Sequence, residues 1–218
     1  MRIIKRPIPI NSEIQLDPFK TIMSKTDRKG IIEYANDYFM EVSEYKEWEL
    51  MAQPHNVIRH PDMPRIIFKI LWDRLFLGEN IHAVVKNLAK SGRYYWVVTD
   101  FQTKYNDDGS IRAFYSRRKA IPYHVKDFFE NFYKELKKIE DQKGMEASAA
   151  YLTGYFDDRK TTYDEFILDM FQLSHKDFMA YMTAEISDEQ MLGNPKITPE
   201  EAINKTKRKR NFLHKLFH

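Results

Sequence analysis

The chemically richest part of the chain is the segment Pro54–Pro64, which reads Pro-His-Asn-Val-Ile-Arg-His-Pro-Asp-Met-Pro. Prolines stiffen this segment, and a stiff loop can hold its polar side chains in fixed positions. Three kinds of chemistry are open to Arg59, His60 and Asp62. They can satisfy backbone groups and cap the next helix, ligate a metal, or bind an anionic ligand.

The three alternatives differ in how well the spacing supports them. In the first, Asp62 is the N-cap of the next helix, with Pro64 in its first turn. In the second, His55, His60 and Asp62 ligate a metal, but their spacing matches no familiar ligand pattern. In the third, Arg59 and the helix N-terminus supply the cationic and N–H donors that a phosphate group binds.

The elements that must position this segment alternate between strand and helix. A hairpin is predicted from residues 21–26 and 31–34, with the turn at 27–30, and Asn36 is the expected N-cap of a short helix. A second short helix is expected near residues 47–51, and a longer one runs from Asp62 to Gly78. Three further strands complete this half of the chain, over residues 81–88, 94–105 and 111–117.

Beyond Pro122 the pattern becomes helical. Helices are predicted from about residue 123 to 139, from near Met145, from the capping box at Thr162 through to Met182, and from a second capping box at Thr198. We expect most of the aromatic side chains here to be core, among them Phe128, Phe132, Phe166 and Phe171. The predicted organisation is an N-terminal arm (1–18), an α+β domain (19–121) and a helical region with a basic tail (122–218).

The composition excludes several classes of function. The chain has 218 residues, and its 35 basic residues nearly balance 32 acidic ones, so nucleic acid is not an expected partner. It contains no cysteine, which excludes disulfides, thiolate metal sites, iron–sulfur clusters and a cysteinyl–flavin adduct. We find no membrane-spanning run, no signal peptide, no nicotinamide-binding glycine motif and no catalytic triad. The expectation is a cytoplasmic protein that is not an enzyme.

Several motifs together carry a resemblance to one family. They are the Pro54–Pro64 segment, the stretch from Thr26 to Asn36, the pair Lys86-Asn87, and Gly92 followed by Tyr95-Trp96-Val97. This pattern resembles the FAD-binding PAS sensor domain of bacterial aerotaxis (Aer-type) receptors over about residues 21–122. The resemblance implies a PAS fold: a five-stranded antiparallel sheet with short helices.

The same resemblance implies a function and a set of ligand contacts. The function is redox or oxygen sensing (energy taxis) through non-covalently bound FAD. In that family the residues that match Arg59, His60, Asp62 and Trp72 matter for FAD binding. Asn36 and Asn87 are the expected partners at the edge of the flavin ring.

One position departs from the family pattern. Members of this kind usually read Gly-Glu-Pro-Trp where this chain has Gly78-Glu79-Asn80-Ile81. Loss of that tryptophan leaves two alternatives open: a haem-binding PAS gas sensor, with His55, His60 or His82 as axial ligand, or a cofactor-free PAS dimerisation and docking module.

The resemblance also implies protein partners. The sequence shows no transmembrane segment, methyl-accepting rod or other output motif after Ile121. We therefore expect a homodimer that signals to a membrane chemoreceptor or another signalling protein. Residues 205–218, with six basic residues among Phe212, Leu213, Leu216 and Phe217, predict possible peripheral contact with an anionic membrane.

Overall fold

A five-stranded antiparallel sheet forms the centre of the computed structural model, which describes residues 6–183. The strands lie side by side in the order β2-β1-β5-β4-β3. Their bounds are β1 Ile22–Asp27, β2 Ile32–Ala35, β3 Ile81–Leu88, β4 Tyr94–Tyr105 and β5 Ile111–Lys119. The predicted hairpin and the three later strands are confirmed, as is the α+β fold class.

The two faces of the sheet carry different side chains and are covered by different helices. In the β3–β4 pair, Asn87 lies opposite Tyr95 and Lys86 lies opposite Trp96. Because successive side chains of a strand point to opposite faces, Asn87 and Tyr95 share the inner face, and Lys86 and Trp96 share the outer face.

The inner face is covered by the helices that follow β2. They are α1 Asp37–Ser43, α2 Glu47–Leu50, a 3-10 helix His55–Ile58 and α3 Arg65–Phe76. Asn36 is the N-cap of α1 as predicted, because its Oδ1 accepts the Phe39 N–H at 3.0 Å. The Pro54–Pro64 segment therefore forms the 3-10 helix and the connection into α3.

The predicted N-terminus of α3 is wrong. The helix begins at Arg65 with Pro64 as its N-cap residue, and Asp62 lies outside it. The first N–H groups of α3 are instead accepted by the Glu140 carboxylate, 3.0 Å from Arg65 N and 3.1 Å from Ile66 N. A cap from a residue this far along the chain leaves no local sequence pattern, whereas Asp62 carries the local signature of an N-cap.

In the described part of the chain, four helices follow the sheet. They are α4 Tyr123–Lys143, α5 Met145–Asp157, α6 Tyr163–Phe171 and α7 His175–Thr183. Helices α4, α6 and α7 pack on the outer face of the sheet, and α5 packs on α4. The ring of Tyr133 stacks on Trp96 at a centroid distance of 6.2 Å, and its hydroxyl donates to the Val84 carbonyl at 2.7 Å. The predicted core role holds, since Phe132 is buried and Phe128, Phe166 and Phe171 are partly buried against the core.

The third predicted helix is in fact two. Gln172 adopts a left-handed backbone with φ of 56° and ends α6. The Ser174 hydroxyl then accepts the Asp177 N–H at 3.1 Å and starts α7. The apolar spacing continues through this break, which is why periodicity alone predicted a single helix through Met182. The helix predicted from Thr198 and the basic tail at 205–218 lie outside the described residues.

The N-terminal arm pairs with the first residue of β4, Tyr94, beside the part of β4 that has no partner in β5. Ile14 N donates to the Tyr94 carbonyl at 2.7 Å, and Tyr94 N donates to the Ser12 carbonyl at 3.0 Å. Glu13 also pairs with Lys126 on α4. Within residues 6–183, every helix is either too short or too polar to cross a lipid bilayer.

Candidate functional site

A cavity of about 290 Å³ lies between the inner face of the sheet and α3. This volume is close to the lower end of the range for small-molecule sites. Its walls come from the hairpin turn, the Pro54–Pro64 segment, α3 and four strands, β1, β3, β4 and β5. The lining residues are Thr26, Lys29, Gly30, Pro54, His55, Asn56, Ile58, Arg59, Phe68, Leu71, Trp72, Leu75, Val85, Asn87, Thr99, Phe101, Phe114, Ser116 and Arg118.

One wall of the cavity is aromatic. Trp72 meets Phe114 edge to face at a centroid distance of 5.4 Å and stacks with Phe76 at 5.7 Å. Gly30 lets the indole approach the hairpin turn, because a Cβ there would lie 3.1 Å from the Trp72 ring. Flat aromatic surface of this kind suits a planar ring system.

Two buried polar atoms in the cavity lack hydrogen-bond partners within the described residues. They are Asn87 Nδ2 and Thr99 Oγ1. Asn87 and Thr99 are both buried, at 4% and 0% exposure. A buried polar atom without a partner costs free energy, so its partner is expected to be water or a ligand.

A guanidinium group lies at the inner end of the cavity. Arg118 donates to Ser24 Oγ at 3.1 Å, to Ser116 Oγ at 2.6 Å and to His55 Nε2 at 2.9 Å. Arginine cannot accept a hydrogen bond, so His55 Nε2 must be the acceptor and its ring is neutral. Burial, reinforced by the charge of Arg118, holds the pKa of His55 well below its usual value, in agreement with this assignment.

The charge of Arg118 has no anionic partner in residues 6–183. Its contacts are two hydroxyls and a neutral imidazole, and burial lowers its pKa to about 10. A buried cation normally pairs with an anion. The inner end of the cavity is therefore suited to a ligand atom that carries negative charge.

Sequence reasoning missed Arg118. A signal was present, since Arg118 directly follows the predicted strand over residues 111–117, and where a strand continues through two successive arginines one of them must face inward. Arg117 faces outward and pairs with the buried carboxylate of Asp100, with Nε 3.0 Å from Oδ2. The two arginines therefore have different surroundings despite their adjacent positions.

The mouth of the cavity is also cationic. The Arg59 guanidinium lies 4.0 Å from the Phe68 ring centroid and donates to the Met63 carbonyl at 3.4 Å. Burial lowers the pKa of Arg59, and the charge of Arg6, which donates to the Asn56 carbonyl at 3.3 Å, lowers it further. Lys29 belongs to the same rim. Converging positive charges favour an anionic group at this mouth.

The cavity includes three of the six predicted site residues: Arg59, Trp72 and Asn87. Asn36 lies outside it, because its side chain accepts from Met23 N at 3.0 Å and donates to the Thr21 carbonyl at 2.8 Å as well as capping α1. His60 and Asp62 lie on the other side of the segment, beside Lys86.

These outer residues form a small polar cluster. Asp62 pairs with Lys86 Nζ at 3.0 Å, and its own N–H donates to His60 Nδ1 at 3.2 Å. Burial, with a further contribution from Lys86, lowers the pKa of His60 to about 4, so the ring is neutral. The cluster fixes the exit of the Pro54–Pro64 segment and leaves Arg59 facing the cavity.

The histidines considered for haem or a metal are dispersed. His55 alone among His55, His60 and His82 lines the cavity, and its Nε2 already accepts from Arg118. His82 lies on the outer face against Phe178, at a centroid distance of 4.9 Å. No group of three potential metal ligands forms within residues 6–183.

Ile81, the departure from the family pattern, is buried at 2% exposure but does not line the cavity. It lies opposite Phe101 at the start of β3. The aromatic wall described above is formed by Trp72, Phe76 and Phe114, and position 81 is not part of it.

Comparison with known proteins agrees with this geometry. Residues 32–116 match the family model described as PAS fold. The aerotaxis receptor of Escherichia coli (strain K12) is 49% identical over 77 residues, which are 35% of this chain and 15% of the receptor. The bacterioopsin transcriptional activator of Halobacterium salinarum is 24% identical over 91 residues, 42% of this chain and 14% of that protein. The chain thus spans a small part of each relative.

Solved structures with a similar fold include light-oxygen-voltage domains. One, studied with a flavin analogue, has a TM-score of 0.47 and 18% identity, and the match covers 53% of this chain and 89% of that domain. The light state of the Aureochrome1 domain also scores 0.47, with 13% identity over 50% of this chain and 88% of the other. In sequence, residues 32–116 of this chain match the PAS fold, and a stretch of 77 residues is similar to part of an aerotaxis receptor.

Proposed function

We propose that this chain is a redox sensor that binds FAD non-covalently in the cavity beneath α3. The observation that supports it most is that one cavity contains both an aromatic wall and a buried guanidinium that has no anionic partner in residues 6–183. The relationship to an aerotaxis receptor supports the same function. When bound, a flavin supplies reversible redox chemistry in which the charge on its ring changes.

Each group in the cavity has a task in this proposal. Trp72 and Phe68 supply apolar walls, and Asn87 and Thr99 offer hydrogen bonds to the ring edge. Arg118 stabilises negative charge at the inner end. Because Arg118 is buried, water screens its charge weakly and it discriminates between ligand charge states.

The cationic mouth favours FAD over a flavin without phosphates. The cavity volume suits a ring system, and the rest of a dinucleotide must pass the mouth, which Arg59 and Lys29 line and near which Arg6 donates to the Asn56 carbonyl. Guanidinium groups bind phosphate oxygens with paired N–H donors. The α3 N-terminus does not take part, because Glu140 occupies it.

The proposal extends to the signalling context. The sensor acts in the cytoplasm as a homodimer, without enzymatic activity of its own, and passes its state to a membrane chemoreceptor or another signalling protein. Residues 205–218 are the proposed peripheral membrane contact.

Ligand titration tests the proposal. Ligand-free protein is titrated with riboflavin, FMN and FAD, and binding is followed by flavin fluorescence. We expect FAD to bind more tightly than riboflavin, and Trp72→Ala to weaken FAD binding about tenfold or more through lost apolar contact. Trp48→Ala is the matched control, because Trp48 lies on α2 outside the cavity. Equal loss in both variants, or no saturable binding, would refute the proposal.

A further inference from the structure

Helix α3, which forms one wall of the cavity, is held at both ends by carboxylates of the helical region. At its N-terminus the Glu140 carboxylate of α4 accepts from Arg65 N, Arg65 Nε and Ile66 N at 3.0, 2.9 and 3.1 Å. The Glu140 side chain is fully buried. A buried carboxylate with several N–H donors is a strong and directional contact.

At the other end, Arg74 of α3 pairs with Asp164 of α6. The second carboxylate oxygen of Asp164 accepts the N–H of His82 on β3 at 2.9 Å. Asp164 therefore connects α3, α6 and the sheet in one contact.

Between these two contacts lie Phe68, Leu71 and Trp72, which face the cavity, and Leu75, which also lines it, directly follows Arg74. Any change in the cavity that shifts α3 must alter the geometry at Glu140, at Asp164, or at both. Hydrogen bonds weaken steeply with misalignment, so small movements of α3 have a large effect on these contacts.

We propose that Glu140 and Asp164 form a clamp that couples the state of the cavity to α4 and α6. The clamp makes the helical region the output of the sensor domain. Coupling of this kind is reciprocal, so whatever loosens the clamp also changes the affinity of the cavity for its ligand. The identity of that ligand rests on the proposed function, but the clamp itself exists without it.

Hydrogen exchange measured by mass spectrometry on the full chain tests the clamp. The variant is Glu140→Gln, which keeps the shape and removes the charge. The matched control is Glu135→Gln on the same helix, where the carboxylate is half exposed and lies 3.8 Å from Lys138. Asp164→Asn is the second variant, in case the first affects folding.

In ligand-free protein we expect Glu140→Gln to speed exchange roughly tenfold or more in two peptides, residues 63–72, which span the start of α3, and residues 134–143 of α4. The control should match the wild type. Faster exchange confined to 63–72, or equal effects of both substitutions, would overturn the proposal. Asp164→Asn should speed exchange at the C-terminal end of α3 and in α6 together, and a change in only one of them would count equally against it.

A second arm adds FAD. In the wild type, FAD should change exchange across residues 134–143, and in Glu140→Gln that response should be lost although FAD still binds. A response that persists in the variant would overturn the clamp. If wild-type protein shows no FAD binding in its absorption spectrum, the proposed function fails, and the ligand-free arm alone decides the clamp.

Discussion

Replacement of Arg118 by methionine tests whether its guanidinium group serves ligand binding or folding. Methionine has a similar length but neither charge nor donors. Its effect on folding should be small, because the three partners of Arg118 remain paired with one another: Ser24 Oγ lies 2.9 Å from Ser116 Oγ and 3.0 Å from His55 Nε2. We expect the free energy of unfolding of ligand-free protein to change by about 1 kcal/mol or less.

The effect on a bound redox ligand should be much larger. Burial lowers the pKa of Arg118 to about 10. A cation and an anion about 6 Å apart, at an effective dielectric constant of about 20, attract each other by about 3 kcal/mol. The guanidinium should stabilise an added negative charge on the ligand by about this amount, reduced up to about half where water enters the variant. For a one-electron couple, the midpoint potential of bound FAD should fall by about 60–130 mV in Arg118→Met.

The assay is a dithionite or photochemical titration with a reference dye, beside urea unfolding of the ligand-free protein. Arg117→Met is the matched control. Arg117 faces the other side of β5, and this substitution should leave the buried Asp100 carboxylate without its cationic partner. It should therefore lower the free energy of unfolding by about 3–5 kcal/mol and leave the potential nearly unchanged. If Arg118→Met destabilises the protein by a similar amount and leaves the potential within about 20 mV of the wild type, the reasoning about Arg118 is refuted.

Three further predictions concern the cavity and its supports. Arg59→Ala should reduce FAD affinity about tenfold or more in equilibrium dialysis, whereas Asp62→Ala, outside the cavity, should cause a clearly smaller loss; equal losses would contradict the placement of Asp62. Gly30→Ala should lower the free energy of unfolding by about 1–2 kcal/mol in urea, because φ is 75° and the added Cβ presses on Trp72; unchanged stability would contradict that contact. Burial alone would raise the pKa of Glu140, but bonds from Arg65 outweigh it and the pKa lies below the ordinary glutamate value. The stabilisation by Glu140 is thus present above about pH 4.5 and is lost as the pH falls through the lower folded-state pKa, so acid should destabilise the wild type more than Glu140→Gln in pH-dependent unfolding.

Local signals made most of the domain predictable. The turn at residues 27–30, the cap at Asn36 and the alternating strands each depend on neighbours within a few positions, and each is found in the structure. Arg59, Trp72 and Asn87, three of the six predicted site residues, line one cavity. These residues belong to motifs that lie close together in the sequence or in the same predicted sheet, and this explains why they share one cavity.

Contacts between distant parts of the chain were not predictable in this way. The cap on α3 comes from Glu140, and the inner end of the cavity combines Ser24, His55 and Arg118. Such groups meet only after the sheet closes, so no spacing in the sequence reveals them. The orientation of His60 and Asp62 away from the cavity likewise depends on Lys86 of β3.

The central claim is that the cavity holds a flavin, and the absorption spectrum of the purified full chain tests it most directly. The account predicts a two-banded flavin spectrum that bleaches with dithionite, and a molecule released by acid whose mass matches FAD. A sharp Soret band would identify haem and contradict the account. A colourless protein that also fails to take up added FAD would contradict it equally and would leave a PAS domain that acts through protein contacts alone.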